Sequence, residues 1–305
     1  MRTRWQRFKD SYFLFSFLRD PVAYVSFIVL AVLFFSAFAA PLIAPHNPYD
    51  MSTIDVMDSE MPPVWAAGGT SNFLLGTDAQ GRDMFSTILY GMRVSIIIGI
   101  GAVCLQAFIG IVVGLLSGYV RKLDTILMRI ADVQLSFSTY MVAIFIGAIF
   151  QTIFGVGSYD KIAIPLLILI IGLAEWPQYA RTVRASVLAE RKKEYVEAAR
   201  VIGLSKARIM WRHILPNSLS PVLVISTVQV ANAIMSEAAL SFLGLGMPIT
   251  KPSLGSLITA GFEYIFSGSW WITVFPGIVL VTLIFVINLL GDWVRDFLNP
   301  KLYKG

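Results

Sequence analysis

Long runs without a charged residue dominate this sequence, and short polar stretches separate them. Four runs are long enough, at about 1.5 Å per residue, to cross the roughly 30 Å hydrocarbon core of a bilayer. They are Pro21–Ala44, Val94–Val120, Val133–Tyr159 and Tyr264–Gly291. Two shorter runs, Ile162–Ala174 and Ser218–Ser236, reach that length only if they continue past Glu175 and Glu237. The pattern predicts an all-α integral membrane protein with six transmembrane helices.

The composition supports this fold class. Of the 305 residues, 56% are hydrophobic and only 14% are charged, whereas a soluble domain carries roughly 25% charged residues. The single cysteine, Cys104, excludes an intrachain disulfide and a cysteine zinc site, and the two histidines, His46 and His213, are far apart. We therefore expect no metal and no cofactor. Arg19 and Asp20 interrupt the first apolar stretch, so we expect a retained anchor rather than a cleaved leader.

The basic residues predict the orientation. Six crossings place both termini on one side, together with the segments 121–132 and 175–216. These inner segments and the two termini hold 20 of the 24 Lys and Arg residues. Basic residues concentrate on the cytoplasmic side of membrane proteins, so we expect both termini inside (N-in, C-in) and segment 175–216 in the cytoplasm. The net charge of +5 then reports topology, and no nucleic-acid partner is expected.

The most charged interruption is "ERKKEYVEAARVIGLSKARIMWRHILPN", residues 190–217, with ten charged residues between Glu190 and Arg212. Residues 190–202 favour a helix, with Tyr195, Ala198, Ala199 and Ile202 on one face. Gly203 can end it in the left-handed conformation, and Leu204 can fold back onto the last turn. The next residues predict a second short helix: Ser205 as its N-cap, Pro216 as its end, and Asn217 as the start of the following helix.

Its spacing resembles the cytoplasmic motif E-A-A-x(3)-G-x(9)-I-x-L-P of ABC-importer permeases. Glu197, Ala198, Ala199, Gly203, Leu215 and Pro216 match it. His213 occupies the isoleucine position, and Ile214 is displaced by one. The stretches Leu75–Ser95, Glu237–Gly246 and Gly291–Pro300 also resemble the C-type permease subunit of oligopeptide and dipeptide importers, a family that includes nickel and glutathione systems. Asn299 departs from the family's usual aspartate.

The resemblance implies a type I ABC importer permease fold and a set of partners. These are a related B-type permease, two cytoplasmic ABC ATPase subunits, an extracytoplasmic substrate-binding protein and membrane lipid. The expected location is the cytoplasmic (inner) membrane of a bacterium or archaeon. The expected cargo is a di- or oligopeptide, with nickel, glutathione or another small solute as alternatives. The residues implied in coupling to the ATPases are Glu197, Ala198, Ala199, Gly203, Leu204, Ile214, Leu215 and Pro216.

The residue pattern and the resemblance together suggest domain boundaries. Residues 1–20 would form a cytoplasmic interfacial helix, with Trp5, Phe8, Tyr12 and Phe15 on one face; a basic tail without structure is the alternative. Residues 21–92 would hold the first crossing and an external loop. Residues 93–292 would form the transmembrane permease domain, with the coupling segment 190–216 in the cytoplasm, and residues 293–305 a cytoplasmic tail.

Three other features allow two interpretations each. "GTDAQGRD", Gly76–Asp83, lacks the lysine and hydroxyl of a phosphate-binding loop, so it is either a structural turn or a contact near the binding-protein surface. A row of small residues on one helix face, Gly110, Gly114 and Gly118, allows another helix to approach closely. That helix belongs either to the same chain or to another subunit. Glu237 either lines a translocation path or pairs with a neighbouring helix.

Two other function classes are less consistent with the sequence. A secondary transporter often shows inverted repeats and midplane charges, and neither is evident here. An intramembrane enzyme would need a metal-binding H-E-x-x-H, a Ser–His pair or paired aspartates, and none of these is found. The chain is therefore expected to be a non-catalytic subunit whose ATP is hydrolysed by its partners.

Overall fold

The computed structural model describes residues 12–50, 54–154 and 159–298. Within these ranges the chain is helical, and its single β feature is an isolated bridge between Thr77 and Asp83. The helices, in chain order, are α1 Tyr12–Arg19, α2 Pro21–Phe38, α3 Ala40–Ile43, α4 Met84–Tyr119, α5 Arg121–Leu135, α6 Thr139–Phe154, α7 Tyr159–Glu190, α8 Glu194–Val201, α9 Lys206–Ile209, α10 Leu215–Ser218, α11 Ser220–Phe242, α12 Leu254–Phe262 and α13 Trp271–Phe297.

Five helices are long and apolar enough to cross a membrane, namely α2, α4, α11, α13 and the part of α7 from Ile162. A sixth crossing results if α5 and the first part of α6 are taken together as one bent span. The all-α membrane fold expected from the hydrophobic runs is confirmed. An apolar run predicts a crossing well because length and hydropathy alone decide whether a helix is soluble in lipid.

The helix boundaries differ from the expected ones in three places. The run Val133–Tyr159 is not one straight helix, because α5 and α6 meet at a bend of 94°. Helix α4 begins at Met84, ten residues before its apolar run. Helix α7 continues to Glu190 even though Pro165 and Pro177 lie inside it. Segment 175–190 is therefore helical and continuous with a span, rather than part of an inner loop.

The chain divides into two compact units, residues 1–93 with 252–305 and residues 94–251. In the first unit, the aromatic ring of Phe17 in α1 meets Trp293 of α13 at 5.1 Å between centroids. Phe15 and Leu18 of α1 are exposed, which suits a helix lying on a membrane surface. Trp5 and Phe8 of the expected N-terminal helix, and Asn299 in the tail, lie outside the described residues.

The turn Gly76–Asp83, also in the first unit, is held by a buried ion pair. The Arg82 guanidinium donates to Asp78 at 2.6 and 2.7 Å, and both side chains are at most 5% exposed. The other carboxylate oxygen of Asp78 accepts the backbone N–H groups of Gln80 and Arg82. A Cβ added to Gly81 would lie 2.2 Å from the Asp55 carbonyl oxygen. The geometry favours the structural-turn interpretation.

In the second unit, the glycine stripe of α4 packs against α7. A Cβ added to Gly110, Gly114 or Gly118 would come within 2.2 to 2.8 Å of atoms of Tyr179, Ala180, Val183 or Val187. Successive glycines four residues apart meet successive α7 residues four apart, so the two helices run parallel at close range. Of the two interpretations of the stripe, packing inside the chain is the one that the structure shows.

Candidate functional site

The charged segment between α7 and α11 folds as two short helices joined by a corner. Helix α8, Glu194–Val201, is followed by Gly203 and then by α9, whose N-cap Ser205 accepts the backbone N–H of Arg208. A π-helical turn, Met210–Ile214, leads into α10. Pro216 lies in the first turn of α10 and does not end the helical path. A residue in the first turn does not donate its N–H within the helix, so proline is tolerated there. The next helix is capped at Leu219, not at Asn217.

Gly203 forms the corner as the sequence predicts. Its φ is +79°, in the left-handed region. The N–H of Gly203 bonds to the Arg200 carbonyl at 3.0 Å, and the N–H of Leu204 reaches back to the Ala199 carbonyl at 3.1 Å. This pair of bonds is the Schellman motif. Nothing lies within 4 Å of a Cβ added there, so the backbone conformation alone requires glycine.

Hydrogen bonds tie this corner to the end of α7. Glu190, the last residue of α7, accepts bonds from Lys193 at 2.6 Å and from the Tyr195 hydroxyl at 2.7 Å. Asn217 in α10 donates to the Tyr195 hydroxyl at 3.5 Å and to the His213 carbonyl at 2.6 Å. Burial, and then the bond to the Glu190 carboxylate, raises the pKa of Tyr195 to about 12. The phenol therefore stays protonated. Through its hydroxyl, Tyr195 of α8 is connected both to Glu190 at the end of α7 and to Asn217 in α10.

Two more ion pairs fix the same end of α7. Arg184 makes a two-contact pair with Asp124 of α5, at 2.5 and 2.8 Å, and Arg181 meets Asp132 at 2.5 Å. Asp124 and Asp132 therefore brace α7, the helix that carries the charged segment.

The predicted coupling residues divide into exposed and buried groups. Glu197, Ala198, Gly203 and Pro216 are exposed, Leu204 and Leu215 are half-buried, and Ala199 and Ile214 belong to the hydrophobic core. Glu197 pairs with Arg200 at 2.6 Å on the surface of α8. The four residues expected on one face of this helix differ in burial: Ala199 is buried and Tyr195 is half-buried, whereas Ala198 and Ile202 are exposed. Only Ala198 of the two alanines leaves a shallow outer surface.

Sequence reasoning missed an exposed apolar group on this segment. Val201 is 86% exposed, Ile202 is 73% exposed and Trp211 is 49% exposed, in a segment otherwise rich in charge. Large apolar side chains that remain outside the core of an ordered, anchored segment indicate a surface for another protein. The signal was present in the sequence as "RVIG", residues 200–203, where two large apolar residues precede the corner glycine.

The π-helical turn accounts for the displaced isoleucine. In a π-helix the backbone bonds join residues five apart, so Ile209 and Ile214 fall on one face, and both are at most 1% exposed. Ile214 therefore fills the core one position after the motif's isoleucine. His213 is half-buried beside it and contributes its carbonyl to Asn217.

Glu237 is fully buried in the second unit. Its carboxylate accepts bonds from Ser95 of α4 at 3.2 Å and from Ser241 of its own helix at 3.0 Å. This geometry favours the pairing interpretation, in which Glu237 ties α11 to α4. Its place on a translocation path stays a prediction.

A second buried carboxylate is Glu175, the first residue of the segment 175–216 that the sequence places in the cytoplasm. It is 7% exposed, inside α7. Its oxygens accept bonds from Gln106 and Gln229, both at 3.4 Å, and from Ser236 at 3.2 Å. Sequence reasoning did not single out the two glutamines. This polar cluster joins α4, α7 and α11 where hydrophobic packing alone would leave their register less specific.

Comparison with known proteins places these features in a family. The family described as "Binding-protein-dependent transport system inner membrane component" matches residues 106–304. The chain belongs to this family. A second description, the N-terminal transmembrane domain of oligopeptide transport permease C, matches residues 2–63. As an inner membrane component, the protein is a non-catalytic permease subunit of an ABC importer, and the ATPase is a separate subunit.

Individual relatives agree along nearly the whole chain. A di/tripeptide transport system permease protein, DppC, of Pseudomonas aeruginosa is 34% identical over 94% of this chain and 90% of its own length. The dipeptide permease DppC of Haemophilus influenzae is 34% identical over 95% and 94%, and that of Escherichia coli K12 is 35% identical over 94% and 91%.

Solved structures confirm the fold of the permease. The MetNI methionine ABC transporter, in two inward-facing crystal forms, matches with TM-scores of 0.57 and 0.55 and identities of 20% and 21%. In both forms the match covers 71% of this chain and 98% of the other chain. At this level of identity the comparison supports the type I permease fold and carries no information on the substrate.

Proposed function

We propose that this permease imports di- or oligopeptides, and that its segment 190–217 is the element that couples import to ATP hydrolysis. The observation that carries the coupling role is the combination of exposure and anchoring in that segment. Val201 and Ile202 are exposed at the end of α8, and the Glu190–Tyr195–Asn217 bonds connect α8 to the helices on either side. A body that holds α8 therefore also moves the end of α7.

The coupling mechanism follows from this rigidity. Helix α8 has only two turns and would not be stable in water by itself, but the Schellman corner and its buried residues Val196 and Ala199 hold it. Closure of an ATPase dimer would push on α8, and the push would pass through the Tyr195–Glu190 bond and the close-packed α4–α7 pair. The chain alternates access while its partners hydrolyse ATP.

The partners in this proposal are a B-type permease, two ABC ATPases and an extracytoplasmic binding protein. The orientation with both termini in the cytoplasm belongs to the proposal, since it places segment 190–217 where ATPases can reach it. The distribution of 20 of 24 Lys and Arg residues on that side supports it.

The peptide cargo is supported by the names of the relatives, which describe peptide permeases over nearly the full chain. Nickel and glutathione are less favoured, because none of these relatives is named for them. The decisive experiment is reconstitution of the chain in liposomes with its partner permease, ATPases and binding protein, followed by uptake of labelled dipeptide with and without ATP.

We expect uptake only when all subunits and ATP are present, and we expect unlabelled dipeptide, but neither nickel nor glutathione, to compete. Uptake by this chain alone would contradict an ATP-driven importer. Competition by nickel or glutathione in place of peptide would leave the coupling role intact and overturn the proposed cargo.

A further inference from the structure

Helix α7 contains a buried proline, Pro177, in its interior. Proline has no backbone N–H, so the carbonyl four residues earlier, that of Leu173, has no donor within the helix. In a membrane-spanning helix such a carbonyl is costly unless a neighbouring group supplies a donor. The Leu173 carbonyl therefore needs a partner from outside α7.

Gln134 of α5 is that partner. Its Nε2 donates to the Leu173 carbonyl and, at 3.0 Å, to the Ala174 carbonyl. Its Oε1 accepts the indole N–H of Trp176 at 3.0 Å. Trp176 also shares a buried apolar cluster with Ala131 of α5, so the amide lies at a packed contact between the two helices. Both ends of one side chain thus bind the turn of α7 that precedes the proline.

Gln134 also lies beside a second break in the chain. It is the penultimate residue of α5, directly before the 94° bend between α5 and α6. Sharp changes in helix direction occur mainly where a proline or a similar interruption removes bonds of the helix ladder. Breaks in two neighbouring helices therefore meet at one level, and the Gln134 amide joins them.

Helix α5 contacts α7 on both sides of Pro177. Gln134 binds the residues before the proline, and two ion pairs from α5 hold Arg181 and Arg184 after it. The direction of α7 beyond the proline is therefore set by α5. Glu190, where the coupling segment begins, lies about 20 Å along the helix from Pro177, so a change of about 10° in direction moves it by roughly 3 Å.

We propose that Gln134 is a positioning residue for ATP-driven import, because its amide fixes the direction of α7 at Pro177 and thereby places the coupling segment relative to the spans. The proposal rests on the proposed coupling role of segment 190–217. Without the amide, the angle at the proline is no longer fixed. Force on the segment would then turn α7 at Pro177 instead of moving the spans, and ATP would be hydrolysed without import.

The first test is a double-mutant cycle of Gln134→Leu with Pro177→Ala, measured by chemical denaturation of the full chain in detergent. Alanine restores the N–H of residue 177, which can donate to the Leu173 carbonyl in place of the glutamine. We expect Gln134→Leu to lower the folding equilibrium constant roughly tenfold more in wild type than in the Pro177→Ala background, as one buried hydrogen bond implies.

The control background is Pro165→Ala, which removes the other proline of α7. The full cost of Gln134→Leu should remain there, because the Leu173 carbonyl still lacks a donor within the helix. Equal costs in the wild-type and Pro177→Ala backgrounds would overturn the proposal, whatever the transported substrate.

The second test is the number of ATP molecules hydrolysed per peptide imported by the reconstituted complex. We expect Gln134→Leu to lose most uptake while ATP hydrolysis continues, so that the ratio rises. The matched control is Gln178→Leu, which removes an exposed amide from α7 directly after Pro177 and should keep the wild-type ratio.

The outcomes of the second test separate this proposal from the proposed function. A parallel fall of uptake and ATP hydrolysis in Gln134→Leu would show a structural role only and would overturn the positioning role alone. Absence of ATP-driven uptake in wild type would overturn the proposed function and the positioning role with it.

Discussion

The turn Gly76–Asp83 and the segment Glu190–Asn217 are both charged interruptions of an apolar chain, but they use charge in opposite ways. In the turn, Arg82 and Asp78 are at most 5% exposed and bind each other. In the segment, the Glu197–Arg200 pair is 58% and 46% exposed, and large apolar side chains lie outside the core. The turn closes on itself, whereas the segment leaves a surface for another body.

The comparison shows that a high charge content in a membrane chain does not by itself identify a functional element. What distinguishes the two regions is where the apolar residues and the partners of the charges lie. The buried pair of the turn is costly to break, since a single buried charge would remain. The exposed pair of the segment contributes little to stability.

Replacement of Asp78 by alanine should cause the largest change. It takes the Asp78 carboxylate away from the buried Arg82 guanidinium and from two backbone N–H groups, and we expect a loss of about 3–5 kcal/mol in the free energy of unfolding. Chemical denaturation of the detergent-solubilised protein measures it. A loss no larger than that of an exposed pair would remove the distinction between the two regions.

Tyr195→Phe should weaken the anchor of the coupling segment by about 1–2 kcal/mol, because the hydroxyl donates to the Glu190 carboxylate. The pKa of Tyr195 is raised to about 12 from 10.0, so the stability it contributes is present below pH 10 and is lost as the pH rises toward 12. A double-mutant cycle with Glu190→Gln measures the coupling. Additive losses in that cycle would show that the bond does not stabilise the segment.

Ile202→Asp should act on docking and not on folding. The side chain is 73% exposed, so we expect an unchanged free energy of unfolding and roughly tenfold weaker binding of the ATPase subunit, as loss of a buried aliphatic contact implies. Val56→Asp is the matched control, since Val56 is 74% exposed in the first unit near the turn. Equal ATPase affinity of the two variants, measured by co-purification, would argue against the docking surface.

Glu197→Gln should have the smallest effect on stability, within about 0.5 kcal/mol, because its ion pair with Arg200 is exposed. It is the counterpart of Asp78→Ala in the other region. Thermal unfolding of the two variants side by side gives the comparison. A large loss for Glu197→Gln would mean that the charges of the segment also hold the fold.

Most of the fold could be predicted from the sequence because hydropathy and length decide whether a helix is soluble in lipid. The roles of Gly203 and Ser205 could also be predicted. Gly203 ends α8 in the left-handed conformation and Ser205 is the N-cap of α9, and both roles depend on local chemistry. The bend between α5 and α6 was not predictable, because the apolar run Val133–Tyr159 is uninterrupted while the direction of the chain depends on packing and hydrogen bonds around residues 136–138.

The buried side of α8 and the burial of Glu175 could not be predicted from the sequence, for a related reason. Periodicity groups residues on a helix face but does not say which side of the helix is covered, and the structure buries Val196 and Ala199 and exposes Ile202. Glu175 was judged as a charge near the end of a short apolar run. Its burial becomes visible only when Gln106 and Gln229 from other helices supply donors.

The corner at Gly203 tests the central claim most directly, because its left-handed backbone conformation sets the turn between α8 and α9. The measurement is ATP-driven peptide uptake by the reconstituted complex carrying Gly203→Val or Gly203→Asn. Neither side chain meets an atom within 4 Å of its Cβ, so the variants differ mainly in tolerance of the φ of +79°, which asparagine accepts and a β-branched residue does not. We predict near-normal uptake with asparagine and a large loss with valine, with both proteins inserted in the membrane. Equal uptake by the two variants would contradict a rigid coupling corner.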